Sequence, residues 1–257
     1  MTLIKRGAKM PRFFIRAEQI IDTDGTKTVQ ITGDDAHHIA RSLRMATGER
    51  ITVCDMQSHI YECVLTAITD TEVVAEVESV SDSDTEPRSF IKLYQAIPKG
   101  DKLETVIQKS IECGACEIIP FASERCIAKI DKKDAPKKAQ RHNKIAESAS
   151  KQSGRGIIPV VREAMSFGEA IEDASKSELF IFCYEGDGTV SIKDILKENS
   201  SAKSISVMIG AEGGFSLKEV EKAREAGARL AGLGKRILRC ETAPTFALSC
   251  IVYETEL

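Results

Sequence analysis

The chain has 257 residues, a formal net charge of -3, 42% hydrophobic residues and no tryptophan. This composition is typical of a globular protein, and the length allows one large domain or two modest ones. No segment has the ~20 consecutive apolar residues of a membrane span or the ~7–15 of a secretory signal, so we expect a cytoplasmic protein without a membrane partner.

The first half of the chain is predicted to be β-rich. Short, β-branched segments predict strands at 29–32, 51–55, 60–67 and 73–80, with one helix over 35–45. These elements predict a small, partly open barrel that carries one helix. Every charged residue from 62 to 86 is acidic, and this stretch ends at Pro87, which places a domain boundary near residues 80–88.

The second half alternates strands with helices. The sequence predicts strands at 90–97, 117–121, 157–161, 178–184, 204–210 and 229–233. It predicts helices from 101, over 137–152, and from 166, 216 and 242. The strings that begin at Asp101, Ser166 and Ser216 have capping-box spacing. Such alternation predicts a mostly parallel sheet, which binds ligands in loops at the carboxyl ends of its strands.

Eight cysteines are spread along the chain, most of them within apolar runs. Cys113 and Cys116 have the CxxC spacing of a redox pair or of half a zinc site. No second CxxC and no His pair at ligand spacing completes a metal site. A packing role is therefore favoured for this pair, and no metal is expected.

Two glycine-rich loops follow late strands. The first is Ile209-Gly-Ala-Glu-Gly-Gly-Phe215 and the second is Leu233-Gly-Lys-Arg-Ile-Leu-Arg239. The first lacks the spacing of the dinucleotide fingerprint, and the second lacks the upstream glycine and the Ser/Thr of a P-loop, which excludes a nucleotide triphosphatase. By spacing alone, ordinary turns between strand and helix account for both loops equally well.

Together the two loops resemble the paired signature of the SPOUT-class RNA methyltransferases, most closely the ribosomal RNA small subunit methyltransferase E family. The second string continues as Cys240-Glu-Thr-Ala243, and further matches in chain order include Met10-Pro-Arg-Phe-Phe14, Ser123-Glu-Arg125 and Gln152-Ser-Gly-Arg155. Members of the family begin at the Met-Pro-Arg, so residues 1–9 are expected to be an extension. Ala211 stands where the family usually has proline, and Cys113 where leucine is usual.

The resemblance implies an α/β protein with a PUA-like β-barrel over 10–82 and a SPOUT-like methyltransferase domain over 88–257. The second domain would hold a mostly parallel sheet with a trefoil knot. The implied cofactor is S-adenosylmethionine, and the implied substrate is small-subunit (16S) ribosomal RNA or the assembled 30S subunit, methylated at N3 of a uridine. The implied assembly is a homodimer formed through the final helix. The implied cofactor-binding residues are Ile209, Gly210, Glu212, Gly213, Gly214, Leu233, Gly234, Arg236, Ile237, Leu238, Arg239, Thr242 and Ala243.

The reaction requires alignment of an activated methyl group with uracil N3 and removal of the N3 proton. Glu241, Arg239 and Arg155 are candidates for the base and for stabilising the anionic ring, although Glu241 serves equally well as a cap of the final helix. Basic residues recur at helical spacing before Gly154. A role in binding the phosphates of RNA is favoured for them over that of a merely solvated helix face. The candidate RNA-binding residues are Arg12, Arg44, Arg125, Lys137, Arg141, Lys144, Lys151, Gln152 and Arg155.

Three other functions stay open at this point. One is a SPOUT-class ribose 2′-O-methyltransferase of ribosomal or transfer RNA. The others are a non-catalytic RNA-binding factor and a redox or zinc protein built on the CxxC pair.

Overall fold

The computed structural model describes residues 10–23, 25–126 and 134–257. Within these ranges the chain divides into two compact units. One comprises the described residues up to Glu86 together with Gly154–Ile157, and the other comprises the described parts of Pro87–Ser153 and Ile158–Leu257. The sequence does not predict that Gly154–Ile157 belongs to the first unit.

The first unit is built on a six-stranded, mostly antiparallel sheet. Its strands are β1 (Arg12–Phe14), β2 (Ile20–Thr23), β3 (Thr26–Thr32), β4 (Arg50–Cys54), β5 (His59–Ile68) and β6 (Glu72–Asp82). Their order is β1-β4-β5-β6-β3-β2, and β1 pairs with β4 in parallel. The four strands predicted here are confirmed, whereas β1 and β2 are too short to show an alternating pattern.

A 3-10 helix (Ala17–Gln19) and one short α-helix accompany these strands. Helix α1 (Asp34–His37) continues as one π-helical turn over His38–Ser42. The backbone then reaches a φ of 53° at Arg44, which is incompatible with a right-handed helix. The predicted helix is therefore confirmed, with an earlier end than expected. Ala36 and Ile39 pack into the core that the strands form.

The second unit is built on a parallel sheet. Its strands are β7 (Phe90–Ala96), β8 (Glu117–Ala122), β9 (Val160–Val161), β10 (Met165–Ser166), β11 (Leu179–Cys183), β12 (Val190–Ser191), β13 (Ser204–Ile209) and β14 (Arg229–Gly232). The order is β10-β8-β7-β13-β11-β14-β12, with β9 also paired to β8. Every strand pair recorded in the described part of this sheet is parallel. The predicted α/β class and mostly parallel sheet are confirmed.

Helices cover both faces of this sheet. They are α2 (Lys102–Glu112), α3 (Ala135–Ser153), α4 (Phe167–Ala174), α5 (Ile192–Glu198), α6 (Leu217–Glu225) and α7 (Thr242–Glu256). Because both faces are buried, strand residues of either parity are apolar. In β13, Val207 faces a core that includes residues of α2, α3, α5 and α7, whereas Met208 faces a core that includes residues of α4 and α6.

The helix starts test the capping predictions. The boxes at Ser166 and Ser216 are confirmed, since each hydroxyl accepts a hydrogen bond from the backbone amide three residues later. The box at Asp101 is wrong. Its side chain caps nothing there, and the Glu104 amide donates to the Asp101 main-chain oxygen instead, at 3.1 Å.

The strand predicted over 157–161 is reduced to Val160–Val161. The amides of Gly156 and Ile157 donate to the Glu86 carboxylate, at 3.0 and 3.2 Å, and are therefore not available to a sheet. Pro159 has no amide proton to contribute. The hydrogen bonds to Glu86 thus take the place of strand pairing at Gly156 and Ile157.

The final helix, α7, is packed within its own unit. Leu248 and Ile251 are fully buried in a core that they share with residues of α2 and α5. Leu248 therefore needs no second subunit to cover it, and the homodimer expected through this helix stays a prediction. The aromatic side chains that α7 leaves accessible are Phe246, 37% exposed, and Tyr253, 69% exposed. Within the described ranges, no helix combines the length and the apolar character that crossing a membrane requires.

Candidate functional site

The carboxyl ends of β13, β11 and β14 lie side by side in the parallel sheet. The chain that follows these strands forms three loops, called here the 210–216, 184–189 and 233–241 loops. They enclose a cavity of about 830 Å³, whose lining is completed by Lys102 and Arg125. This is the edge at which open α/β sheets bind ligands.

Every predicted cofactor-binding residue except Thr242 lines this cavity. Thr242 begins α7, and its amide donates to the Arg239 main-chain oxygen at 2.9 Å. That these residues bind a cofactor stays a prediction. The sequence-based set omits the 184–189 loop, which contributes Tyr184, Glu185 and other lining residues. Its signal was a pair of glycines directly after a buried strand.

The 210–216 loop is held from several directions. Gln95, buried at the end of β7, donates to the Gly210 main-chain oxygen at 3.3 Å. The Arg125 guanidinium donates to the Gly213 main-chain oxygen at 3.0 Å. A Cβ added to Gly210 would lie 3.1 Å from the Cα of Gly214, and one added to Gly213 would lie 3.0 Å from the Cβ of Arg125. The backbone of this loop is therefore close-packed on its protein side.

The end of the same loop is fixed by the capping box of α6. The Ser216 hydroxyl donates to the Glu124 carboxylate at 2.6 Å, and the Glu124 amide donates to the Glu219 carboxylate at 2.8 Å. Glu219 is itself buried and accepts from the Ser216 amide at 2.9 Å. The box thus ties the segment that carries Arg125 to the 210–216 loop.

The 233–241 loop is more open. Gly234 has a φ of 100°, a left-handed conformation that side chains disfavour, and a Cβ added there would have no atom within 4 Å. Ile237 is 84% exposed. Local hydrogen bonds hold the end of the loop, where the Arg239 main-chain oxygen accepts from the amides of Thr242 and Ala243.

Two carboxylates of the cavity wall are ionised at neutral pH. Burial alone would raise the pKa of Glu212, but hydrogen bonds from Lys102 and from backbone amides outweigh it, so the pKa lies below the usual glutamate value. The Cys240 thiol, whose Sγ lies 3.1 Å from Glu241, is the main cause that lowers the pKa of Glu241. These two carboxylates offer anionic groups to a cationic ligand, in a lining that also contains Lys102, Arg125, Lys235, Arg236 and Arg239.

The thiols in the lining are not ionised at neutral pH. Burial is the main cause that raises the pKa of Cys183 to about 12, and that of Cys240 to about 12. A thiolate nucleophile is therefore not part of the chemistry that this cavity supports near neutral pH.

The catalytic candidates divide between the two units. Glu241 and Arg239 line the cavity. Arg155 is absent from its lining and belongs to the first unit, where it is 4% exposed. Its Nε donates to the Glu86 carboxylate at 3.2 Å, and its main-chain oxygen accepts from the Arg12 guanidinium at 3.2 Å. These contacts hold Arg155 in place and explain how its charged side chain can be buried.

The basic face predicted along α3 is present over part of its length. Lys137, Arg141 and Lys144 are exposed, although Arg141 also forms an ion pair of 2.5 Å with Glu104. Lys151 is half-buried and forms an ion pair of 2.7 Å with Glu147. Arg155 does not extend this face, because α3 ends at Ser153 and the chain turns into the first unit.

The remaining RNA-binding candidates are dispersed. Arg44 and Gln152 are exposed. Arg12 is half-buried and donates to the sulfur of Cys54 at 3.2 Å. Arg125 contacts the 210–216 loop, as described above, rather than lying on the face of α3. RNA binding by these residues stays a prediction.

The CxxC pair forms no disulfide and contacts neighbouring polar groups. The sulfur of Cys113 lies 3.8 Å from the Ser249 hydroxyl, and that of Cys116 lies 3.9 Å from the Ser89 main-chain oxygen. The described residues contain no group of three or more His, Cys, Asp or Glu that could hold a metal ion.

Comparison with known proteins identifies the family. A model described as an RNA methyltransferase domain matches residues 85–252, and one described as an RNA methyltransferase PUA domain matches 31–78. Ribosomal RNA small subunit methyltransferase E of Bacillus subtilis is 36% identical over 253 residues, 96% of this chain and 98% of the relative. The Synechocystis protein of the same name is 30% identical over 93% of this chain and 76% of its own length.

Solved structures agree with the sequence matches. The crystal structure of a ribosomal RNA small subunit methyltransferase E from Neisseria gonorrhoeae, bound to S-adenosyl methionine, superposes with a TM-score of 0.83. It is 31% identical, and the superposition covers 95% of this chain and 97% of that one. Similarity in both sequence and structure extends over nearly the whole length, so the chain belongs to the ribosomal RNA small subunit methyltransferase E family.

Proposed function

We propose that the chain transfers the methyl group of S-adenosylmethionine to N3 of a uridine in 16S ribosomal RNA. Its family makes it an S-adenosylmethionine-dependent ribosomal RNA methyltransferase. The observation that carries the choice of atom is the presence of a carboxylate, Glu241, and a guanidinium, Arg239, in the lining of one cavity. Methylation of a ring N–H requires both a proton acceptor and stabilisation of the anionic ring.

The cavity fits the cofactor. Its volume of about 830 Å³ lies within the range of ~300–1,000 Å³ that is typical of small-molecule sites. Glycines 210, 213, 214 and 234 expose backbone to the ligand, and the ionised Glu212 and Glu241 complement a positive charge. S-adenosylmethionine supplies a methyl group that is already activated on a positively charged sulfur, so the protein's task is alignment.

Glu241 accepts the N3 proton, and Arg239 stabilises the negative charge that develops on uracil. The lowered pKa of Glu241 keeps its carboxylate ionised at neutral pH, but the same shift makes it a weak base. Proton transfer from N3 to Glu241 is therefore favourable only if the negative charge that develops on uracil is stabilised. The exposed guanidinium of Arg239 provides that charge.

For the RNA partner we assign the exposed residues of α3, with phosphate as the group that they contact. Lys137, Arg141 and Lys144 carry this role, since their charges lie on the surface. Arg155 receives a structural role, because Glu86 and Arg12 already bind it. We further infer a cytoplasmic homodimer whose interface uses Phe246 and Tyr253 of α7, rather than the buried Leu248.

The test is methylation of 16S ribosomal RNA and of 30S subunits from a strain that lacks this gene. Mass spectrometry of the nucleosides should yield 3-methyluridine. A ribose-methylated nucleoside would replace the proposed reaction by 2′-O-methylation, and no methylation of either substrate would refute it. We expect Glu241→Gln to reduce turnover at saturating cofactor by ~10²–10⁴-fold, the usual contribution of a general base.

A further inference from the structure

Lys102 occupies an unfavourable position for a cation. It is the first residue of α2. The amino end of a helix carries partial positive charge, so acidic residues are preferred there and a lysine is disfavoured unless carboxylates face it. Two carboxylates do face Lys102, and both belong to the cavity described above.

The two carboxylates come from different loops. The Nζ of Lys102 lies 2.8 Å from Oε1 of Glu212, in the 210–216 loop, and 3.9 Å from Oε2 of Glu241, at the end of the 233–241 loop. Glu212 also accepts from the Lys99 amide, at 3.3 Å to each oxygen. One ammonium group therefore contacts both the 210–216 loop and the 233–241 loop from the start of α2.

We propose that Lys102 is a positioning residue that fastens the two cofactor loops to α2 and to each other. The inference rests on the proposed use of this cavity for S-adenosylmethionine. Without the ammonium group, Glu212 and Glu241 would be two like charges on one wall that no longer share a counter-ion. Their repulsion would separate the loops and misalign the backbone that binds the cofactor.

Positioning and simple electrostatics predict opposite results. The cofactor carries a net positive charge at neutral pH, so removal of a nearby lysine charge should by itself strengthen binding. If Lys102 instead fastens the loops, its removal should weaken binding despite the more negative cavity. The sign of the change in affinity therefore distinguishes the two roles.

The experiment measures S-adenosylmethionine affinity by calorimetry in the full-length chain. Lys102→Met should weaken binding by about fivefold, the fold-change that corresponds to the upper end of partly exposed ion pairs. Lys102→Arg, which retains a charge that reaches both carboxylates, should stay within about twofold of the wild type. The matched control is Lys109→Met on the same helix, because Lys109 pairs with Glu112 at 2.9 Å outside the cavity lining.

Three further measurements separate positioning from general stability. The double variant Lys102→Met with Glu212→Gln should lose less affinity than the sum of the two single variants, since each of them removes the Lys102–Glu212 pair. KM for the cofactor should rise in Lys102→Met and stay unchanged in Lys109→Met. Thermal melting should be similar for Lys102→Met and Lys109→Met.

Unchanged or tighter binding by Lys102→Met would overturn the inference while leaving the proposed function intact. If Lys102→Met does not fold, Lys102→Arg and Glu212→Gln decide, since weakening by Glu212→Gln alone is then the expected result and its absence refutes the role. A wild-type chain that binds no S-adenosylmethionine would refute the proposed function itself.

Discussion

The 210–216 and 233–241 loops of the cavity are built differently. The 210–216 loop is braced by Gln95, Arg125 and the capping box at Ser216, and two of its three glycines, Gly210 and Gly213, are packed against protein atoms. The 233–241 loop has an exposed tip at Ile237 and a glycine whose missing side chain faces open space. A preorganised wall beside an adaptable one suits an enzyme that must hold a small cofactor and then admit a much larger RNA.

The largest effect should come from crowding the braced loop. In Gly210→Val, new methyl groups would meet the Gly214 backbone and the Phe215 ring, at about 3.1 and 3.2 Å from the added Cβ. Overpacking of this kind costs ~1–3 kcal/mol, so cofactor affinity should fall by up to ~100-fold and the melting temperature should also fall. Calorimetry and thermal denaturation measure the two effects.

The control for this change is Gly168→Ala. Gly168 lies in α4, and a Cβ added there has no atom within 4 Å. Alanine should leave affinity unchanged and slightly raise stability, because it is the better helix former. If Gly210→Val bound the cofactor like the wild type, the braced loop would not be part of the binding site.

A smaller effect is expected in the open loop. Gly234→Ala meets no steric neighbour, but its φ of 100° strains a side chain by ~1–2 kcal/mol. The exposed loop can relax that strain by moving, so affinity should fall ~5–30-fold while the melting temperature stays nearly constant. A matched fall in the melting temperature would show that this loop is as rigid as the first.

A change at Arg125 tests whether this residue serves cofactor binding or RNA binding. Its guanidinium donates to the Gly213 main-chain oxygen, so Arg125→Ala should weaken cofactor binding by ~2–5-fold, as loss of one hydrogen bond predicts. If Arg125 is a phosphate contact instead, cofactor affinity will be unchanged and the logarithmic salt slope of RNA binding will fall by ~1. Lys137→Ala is the matched change on α3 and should alter the salt slope alone.

The smallest effect concerns Cys240. Its hydrogen bond is the main cause of the lowered pKa of Glu241, so Cys240→Ala should raise that pKa towards the usual value. A carboxylate is ionised above its pKa, and therefore the acidic limb of the turnover profile should move to higher pH while turnover at pH 7–8 changes by less than about twofold.

Cys240→Ser keeps a donor and should leave the profile in place. Loss of all activity in both variants would contradict this account, because it would indicate a thiolate mechanism that the raised thiol pKa excludes.

The sequence was most informative where function depends on the backbone. The loops at 209–215 and 233–239 follow predicted strands, and a parallel sheet brings strand ends to one edge, so their meeting in one cavity could be anticipated. Capping boxes at Ser166 and Ser216 are local in sequence and were predicted correctly, as were most strands and helices. The trefoil knot stays a prediction.

Contacts between distant side chains were not predictable in the same way. Arg155 has the charge and sequence context of an RNA or active-site residue, yet Glu86, far away in sequence, binds it and the amides beside it. The final helix is expected to form a subunit contact, yet the core of its own unit encloses Leu248. The 184–189 loop carries a weak motif and reaches the cavity because β11 lies between β13 and β14.

By itself the sequence determined the alternation of strands and helices, the family signature and the glycines that shape the cavity. Each of these depends on local periodicity or on the backbone freedom of single residues. The tertiary structure alone decided which charges are paired and which side chains are buried. Those properties depend on packing between segments remote in the chain, such as Lys102 with Glu212 and Glu86 with Arg155, where neither residue alone indicates its partner.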